Sequence, residues 1–177
     1  MDSAGTIFLQ SAIKRISYYK DLGDKTLAVL TDAHFHFQPN EESNSIAAII
    51  GHVSGNMLSR WTDFLTTDGE KEWRNRDGEF VPKEVSKEQL IALWEKAWDC
   101  CLGAIEMLTP GDLQKNIYIR GEALSVIDAI NRQLAHYPYH VGQIIYIAKM
   151  IKNTEWVSLS IARNKSLDDD RRVNESL

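Results

Sequence analysis

The chain has 177 residues, of which 44% are hydrophobic and 25% charged, and its formal net charge is −5. These values describe one ordinary globular domain, and with no long basic block they exclude a nucleic-acid groove. Ten glycines and four prolines disfavour a loop-rich all-β fold, and the longest aliphatic run, Ile46-Ala-Ala-Ile-Ile50, is far too short to cross a bilayer.

Met1-Asp-Ser-Ala-Gly lacks a basic region followed by an apolar one, so no export signal is expected. The first helical periodicity runs from about Ile7 to Leu30, with apolar residues at Phe8, Leu9, Ala12, Ile13, Ile16 and Tyr19. Residues 31–42 then form a link containing Pro39, with His34 and His36 alternating with Phe35 and Phe37. That alternation reads as half-buried packing.

A second helix is predicted from about Ser43 to Leu65, with Ser43, Asn44 and Ser45 all suited to its N-cap. A long link, residues 66–85, carries two Asp-Gly turn signals at Asp68-Gly69 and Asp77-Gly78. A third helix begins at Ser86, where Ser86-Lys-Glu-Gln89 fits a capping box, and Pro110 bounds it. Cys100 and Cys101 belong to this helix as core thiols. Adjacent cysteines cannot bridge each other, so a reduced, cytoplasmic setting is expected.

Asn116-Ile-Tyr-Ile-Arg120 could form a short extended stretch. A fourth helix starts near Ser125 and runs to about Ile151. Trp156 to Arg163 could add a short fifth helix, and residues 166–177 read as a charged tail outside the domain, which spans residues 1–165. The pattern predicts an all-α four-helix bundle with long crossover connections.

Chemistry enters at Leu134-Ala-His-Tyr-Pro-Tyr-His-Val-Gly-Gln143. Residues at i and i+4 share a helix face, with Cβ atoms about 5–6 Å apart, so His136 and His140 can grip one ion. Pro138 between them removes the hydrogen bond to the Leu134 carbonyl; the in-phase periodicity on both sides favours a kinked helix over one starting at Pro138. At about 100° per residue, both histidines fall at the edge of the apolar sector of their helix. His52 falls at the edge of the apolar sector of the second helix. All three therefore border the core, as a seam site open on one side would require. Three neutral imidazoles with one open position are the ligand count of a catalytic zinc-type centre.

Around them, Asn56 lies one turn from His52 on the same side, suited to orienting a ligand or to plain solvation. Arg60 falls inside the apolar sector, where a guanidinium needs either a structural carboxylate or an anionic substrate group. No carboxylate on the two histidine helices has spacing that sets it beside the ligands. Asp63 is too far along and Asp128 points away. Arg74, Arg76, Asp77 and Glu79 in the long link could close over the site, although a charge-rich loop is usually just solvated. Trp61, Trp73, Trp94 and Trp98 read as core or rim packing. Tyr139 and Tyr146 face outward and could serve a homodimer face.

His52, the His136/His140 pair and the Gly142-Gln143 that follows it resemble the DinB/YfiT-like superfamily of metal-binding four-helix bundles. So do Ser43 to Leu65 and the link Thr66 to Phe80, which look like one uncharacterised subfamily. The resemblance covers about residues 5–165. It implies that His52, His136 and His140 ligate a divalent metal, with zinc or nickel the expected ion, and that Asn56, Arg60 and Gln143 surround the ligand or substrate. Characterised relatives include thiol-dependent transferases and a thiol-dependent isomerase. The resemblance thus implies transfer of a low-molecular-weight thiol to a small-molecule substrate. Metal-dependent hydrolysis and a non-enzymatic binding role stay open as alternatives.

Overall fold

The computed structural model describes residues 3–81, 85–162, 164 and 165. Four long helices dominate it: α1 (Ala4–Ala28), α3 (Ile46–Trp61), α4 (Lys87–Glu106) and α5 (Val126–Lys152). A four-residue helix, α2 (Asp32–Phe35), lies between the first two. Strands β1 (Asn116–Ile119) and β2 (Glu122–Ser125) form an antiparallel hairpin before α5. The protein is mostly helical, as expected.

Each long helix starts on a serine. The hydroxyls of Ser3, Ser45, Ser86 and Ser125 accept from the backbone N–H of Thr6, Ala48, Gln89 and Asp128 respectively. This satisfies an amide that the first helical turn would otherwise leave unpaired. Of the three caps considered for α3, Ser45 is the one used. The expected capping box at Ser86 and Gln89 is present. α3 stops at Trp61, short of Leu65, because Asp63 turns left-handed at φ 51° and the chain folds back.

The four long helices share one apolar core. α3 packs on α4 and α1 on α5, and each pair also touches the other. Trp94 and Trp98 of α4 and Tyr137 of α5 are fully buried there, in edge-to-face contact at 5.2 and 5.7 Å between ring centres. Aromatic pairs of this geometry add to the burial of their area.

Two expectations change. The extended stretch at 116–120 is one half of a hairpin, whose turn residues Arg120 and Gly121 have φ of 56° and 75°. Positive φ at both central residues matches the right-handed twist of paired strands, and Gly121 accepts it without a Cβ penalty. The fifth helix over Trp156–Arg163 does not form among the described residues. Asn153 leaves α5 at φ 46°, a 3-10 turn covers Asn153–Glu155, and residues 156–162 carry no helix. Serines 158 and 160 and β-branched neighbours are weak helix formers. Val157 and Ile161 remain largely exposed, and within the segment Trp156 packs against the core. The tail expected at 166–177 lies outside the described residues. No described helix is long and apolar enough to cross a membrane.

Candidate metal centre

His52 sits in the middle of α3, and His136 and His140 sit on adjacent turns of α5, which runs unbroken through Pro138. One ring nitrogen from each of the three lies within 4.8 Å of the others, a grouping able to hold a metal ion. The three residues singled out from the sequence are thus brought together.

Their hydrogen bonds share one pattern. The Nδ1–H of His52 donates to Glu79 Oε2 at 2.9 Å, that of His136 to Gln133 Oε1 at 3.3 Å, and that of His140 to Gln143 Oε1 at 2.8 Å. An imidazole that spends its Nδ1 proton this way presents Nε2 as a lone pair, the tautomer a metal ligand needs. The consequence is sharpest on α5, where the Nε2 atoms of His136 and His140 face each other at 3.0 Å. With both Nδ1 atoms protonated, two lone pairs confront each other, an arrangement that a shared cation would relieve. The donor set therefore fits a metal ion.

Electrostatics act in the same direction. Burial first, then the neighbouring His140 and His52, push the pKa of His136 down to about 3, and burial likewise lowers that of His140. Both rings stay neutral and free to ligate at ordinary pH.

The partner of His52 comes from the long link. Burial works to raise the Glu79 carboxyl, but hydrogen bonds from His52 and Arg74 outweigh it and hold the group below the usual range. Arg74 grips Glu79 with two bonds, Nε to Oε1 at 2.8 Å and Nη2 to Oε2 at 3.0 Å. This is the strong bidentate geometry. Phe80 stacks on His52 at 4.8 Å between ring centres. This cover leaves His52 only 6% exposed, deeper than its edge position on the helix suggested.

The link can lie this close because α3 carries no side chain beneath it. A Cβ on Gly55 would collide with the Glu79 carboxylate, and one on Gly51 would reach Glu79 O at 3.4 Å. The two glycines, four residues apart, form a groove on the same side as His52. The link is pinned again at Asp68. Its carboxylate accepts from the backbone N–H of Glu70, Arg120 and Gly121 at 2.7, 2.9 and 2.8 Å, fixing the hairpin turn beside the site.

Asn56 and Arg60 are both buried. Tyr137 donates to Asn56 Oδ1 at 3.3 Å while accepting from Trp61 Nε1 at 2.8 Å. Asn56 is therefore not a solvated position; its amide oxygen is held by the core. Arg60 Nη1 donates to Gly69 O at 2.5 Å and to Glu70 Oε2 at 3.3 Å, so its partner is the structural carboxylate of the two choices. Gln143 is half-buried and orients His140.

The sequence left Glu79 and Arg74 between closing over the site and plain solvation, and the structure places Glu79 against His52 and Arg74 against Glu79, while Gln133 was not singled out. A signal for the glutamines was available. Gln133-Leu-Ala-His136 and His140-Val-Gly-Gln143 are mirrored three-residue spacings, each of which places a glutamine against its histidine. His34 and His36 stay apart from the site: Thr31 N–H donates to His34 Nδ1, and His36 Nε2 contacts Val85 O. Cys101 is buried, and its thiol is raised well above the usual range by that burial. Tyr139 and Tyr146 are exposed on α5, and Trp73 on the link.

His52 and His136 open onto a cleft of about 570 Å³, whose lining also includes Asn56, Gln133 and several arginines. The chain belongs to the family described as "Protein of unknown function (DUF1572)", whose model matches residues 3–165. No curated protein matches the chain.

Proposed function

We propose that this member of the DUF1572 family is a metal-dependent transferase built on a four-helix bundle of the DinB/YfiT type. It would join the sulfur of a low-molecular-weight thiol to a small electrophilic substrate. The observation that carries the reading is the common wiring of His52, His136 and His140. Each Nδ1–H is spent on an oxygen acceptor, so three Nε2 lone pairs are left for one ion.

His52, His136 and His140 would hold the metal, with zinc or nickel best suited to an all-imidazole set. When bound with an open position, such an ion supplies Lewis acidity and favours the deprotonated form of a thiol or water. The remaining work falls to the chain. Glu79, Gln133 and Gln143 hold the three rings in one tautomer. Phe80 shields His52 from water. Asn56, with its oxygen occupied by Tyr137, would offer its amide N–H groups to a ligand in the cleft it lines.

Thiol chemistry is favoured over hydrolysis by the absence of a free base. Among the described residues no aspartate or glutamate lines the cleft, and Glu79 is committed to His52 and Arg74. A thiol, already acidic relative to water, can lose its proton to solvent once its sulfur is stabilised as the anion.

The test is protein purified without a histidine tag, stripped with chelator and reloaded with zinc or nickel, then assayed for conjugation of a cellular thiol to a model electrophile. Stoichiometric metal with thiol-dependent turnover that is lost in His52→Ala supports the reading. Turnover of an ester without thiol would assign hydrolysis instead. Sub-stoichiometric metal with an unchanged melting temperature in chelator would leave a binding protein.

A further inference from the structure

The cleft beside the histidines is cationic in a chain that is anionic as a whole. Five guanidiniums line it: Arg60 from α3, Arg74 and Arg76 from the link, Arg120 from the hairpin turn and Arg132 from α5. They come from four separate segments. Arg132 stands four residues before His136 and so shares its helix face.

The carboxylates within reach are too few to neutralise them. Glu70 is shared by Arg60, Arg74 and Arg120 at 3.3, 3.6 and 3.4 Å. Glu79 is held by Arg74 and His52. Two carboxylates thus pair with three of the five guanidiniums, and Asp68 adds its charge near Arg60, so positive charge stays in excess. Among the described residues, Arg76 and Arg132 make no ion pair, and no acidic side chain lines the cleft. Arg60 is 5% exposed, and its Nε is buried without a hydrogen-bond partner. Apart from the histidine Nε2 atoms, the polar lining therefore offers mostly donors, because Asn56 and Gln133 have their oxygens engaged by Tyr137 and His136.

A concave wall of like charge focuses the field and concentrates the opposite ion. Guanidinium forks match planar carboxylates and phosphates in two-point contacts. We propose that the substrate taken by this cleft is a small anion, carrying a carboxylate or phosphate group that Arg76, Arg120 and Arg132 grip while its reactive end lies toward the histidines. The inference rests on the metal-centred reading for what happens to that substrate, but not for its binding, since the arginines act without a metal.

Chelator-treated protein is therefore the right sample, with heat of binding measured on titrating inorganic phosphate, malonate and uncharged malonamide. Saturable binding of phosphate or malonate is expected, with none for malonamide, and the tighter of the two anions identifies the group recognised. Arg76→Ala and Arg132→Ala remove exposed side chains without partners, so the fold should stand. Each should weaken the anion about tenfold, as for loss of one hydrogen bond to a charged group. Arg132→Lys should recover part of the loss through charge alone. Absence of saturable anion binding, equal binding of malonamide, or unchanged affinity in the Arg76→Ala, Arg132→Ala double variant would overturn the proposal. None of these outcomes bears on metal content or thiol turnover, so this idea and the transferase reading can fail separately.

Discussion

The Nδ1 atom of His52 lies 2.9 Å from Glu79 Oε2, an approach that spans 27 positions of sequence and brings an irregular link onto the middle of a helix. Partners of this kind set the tautomer and basicity of a metal-binding histidine, and their loss costs about 10–100-fold in metal affinity. Glu79→Gln should show that loss in competition with a chromogenic chelator. The fold should survive, because the variant can still accept one hydrogen bond.

Gly55→Ala should act in the same direction for a steric reason. In an exposed helix this change gains about 1 kcal/mol. Here the new Cβ would occupy the space of the Glu79 carboxylate, so metal affinity should fall, as expected for Glu79→Gln, while helix content holds. Equal metal affinity in Gly55→Ala and the parent would show that the link can move off α3 without consequence.

Tyr137→Phe should cost about 1–3 kcal/mol, the penalty for a buried donor left unpaired, because Trp61 Nε1 loses the acceptor it has among the described residues. Urea unfolding measures it directly. Metal affinity should change little, since the three histidines keep their own acceptors.

Gly23→Ala tests packing far from the site. Its Cβ would stand 2.5 Å from Cζ2 of Trp94, an indole anchored by a 2.7 Å hydrogen bond to Asp24. Overpacking of this kind costs about 1–3 kcal/mol, enough to outweigh the helix gain. A lower urea midpoint is expected.

Acid should loosen the metal-free protein through His136. Its pKa is about 3 in the folded chain against an ordinary 6.5, so the unfolded chain binds more protons between those values. Stability is then complete above about pH 6.5 and declines as pH falls toward 3. Chelator-treated protein should have a lower urea midpoint at pH 5 than at pH 7. His136→Gln should lose less over the same interval; an identical loss in both would remove His136 as the cause.

Much of this site could be read from the sequence because helical spacing is a local property. His136 and His140 share a face by arithmetic alone, and Ser86 and Ser125 announce their helices by cap chemistry. Arg60 was legible as buried for the same reason. What spacing cannot supply is the path of a link. Glu79, Arg74 and Phe80 reach His52 only because Gly51 and Gly55 open a groove and Asp68 ties the link to the hairpin turn. Each of those facts is tertiary. The fifth helix expected at 156–163, which does not form among the described residues, has the opposite origin: its serines and β-branched residues are weak helix formers.

The two cysteines, side by side on α4, cannot cross-link anything distant within this chain. His52 and His136 can, for they stand more than eighty positions apart. An ion shared between them would close a loop of that length, and in the chain-entropy view a closure of this size is worth about 4.5 kcal/mol against the open chain. The centre would then serve as a reversible staple between α3 and α5, and how tightly the two halves of the molecule stay joined would follow the supply of free metal.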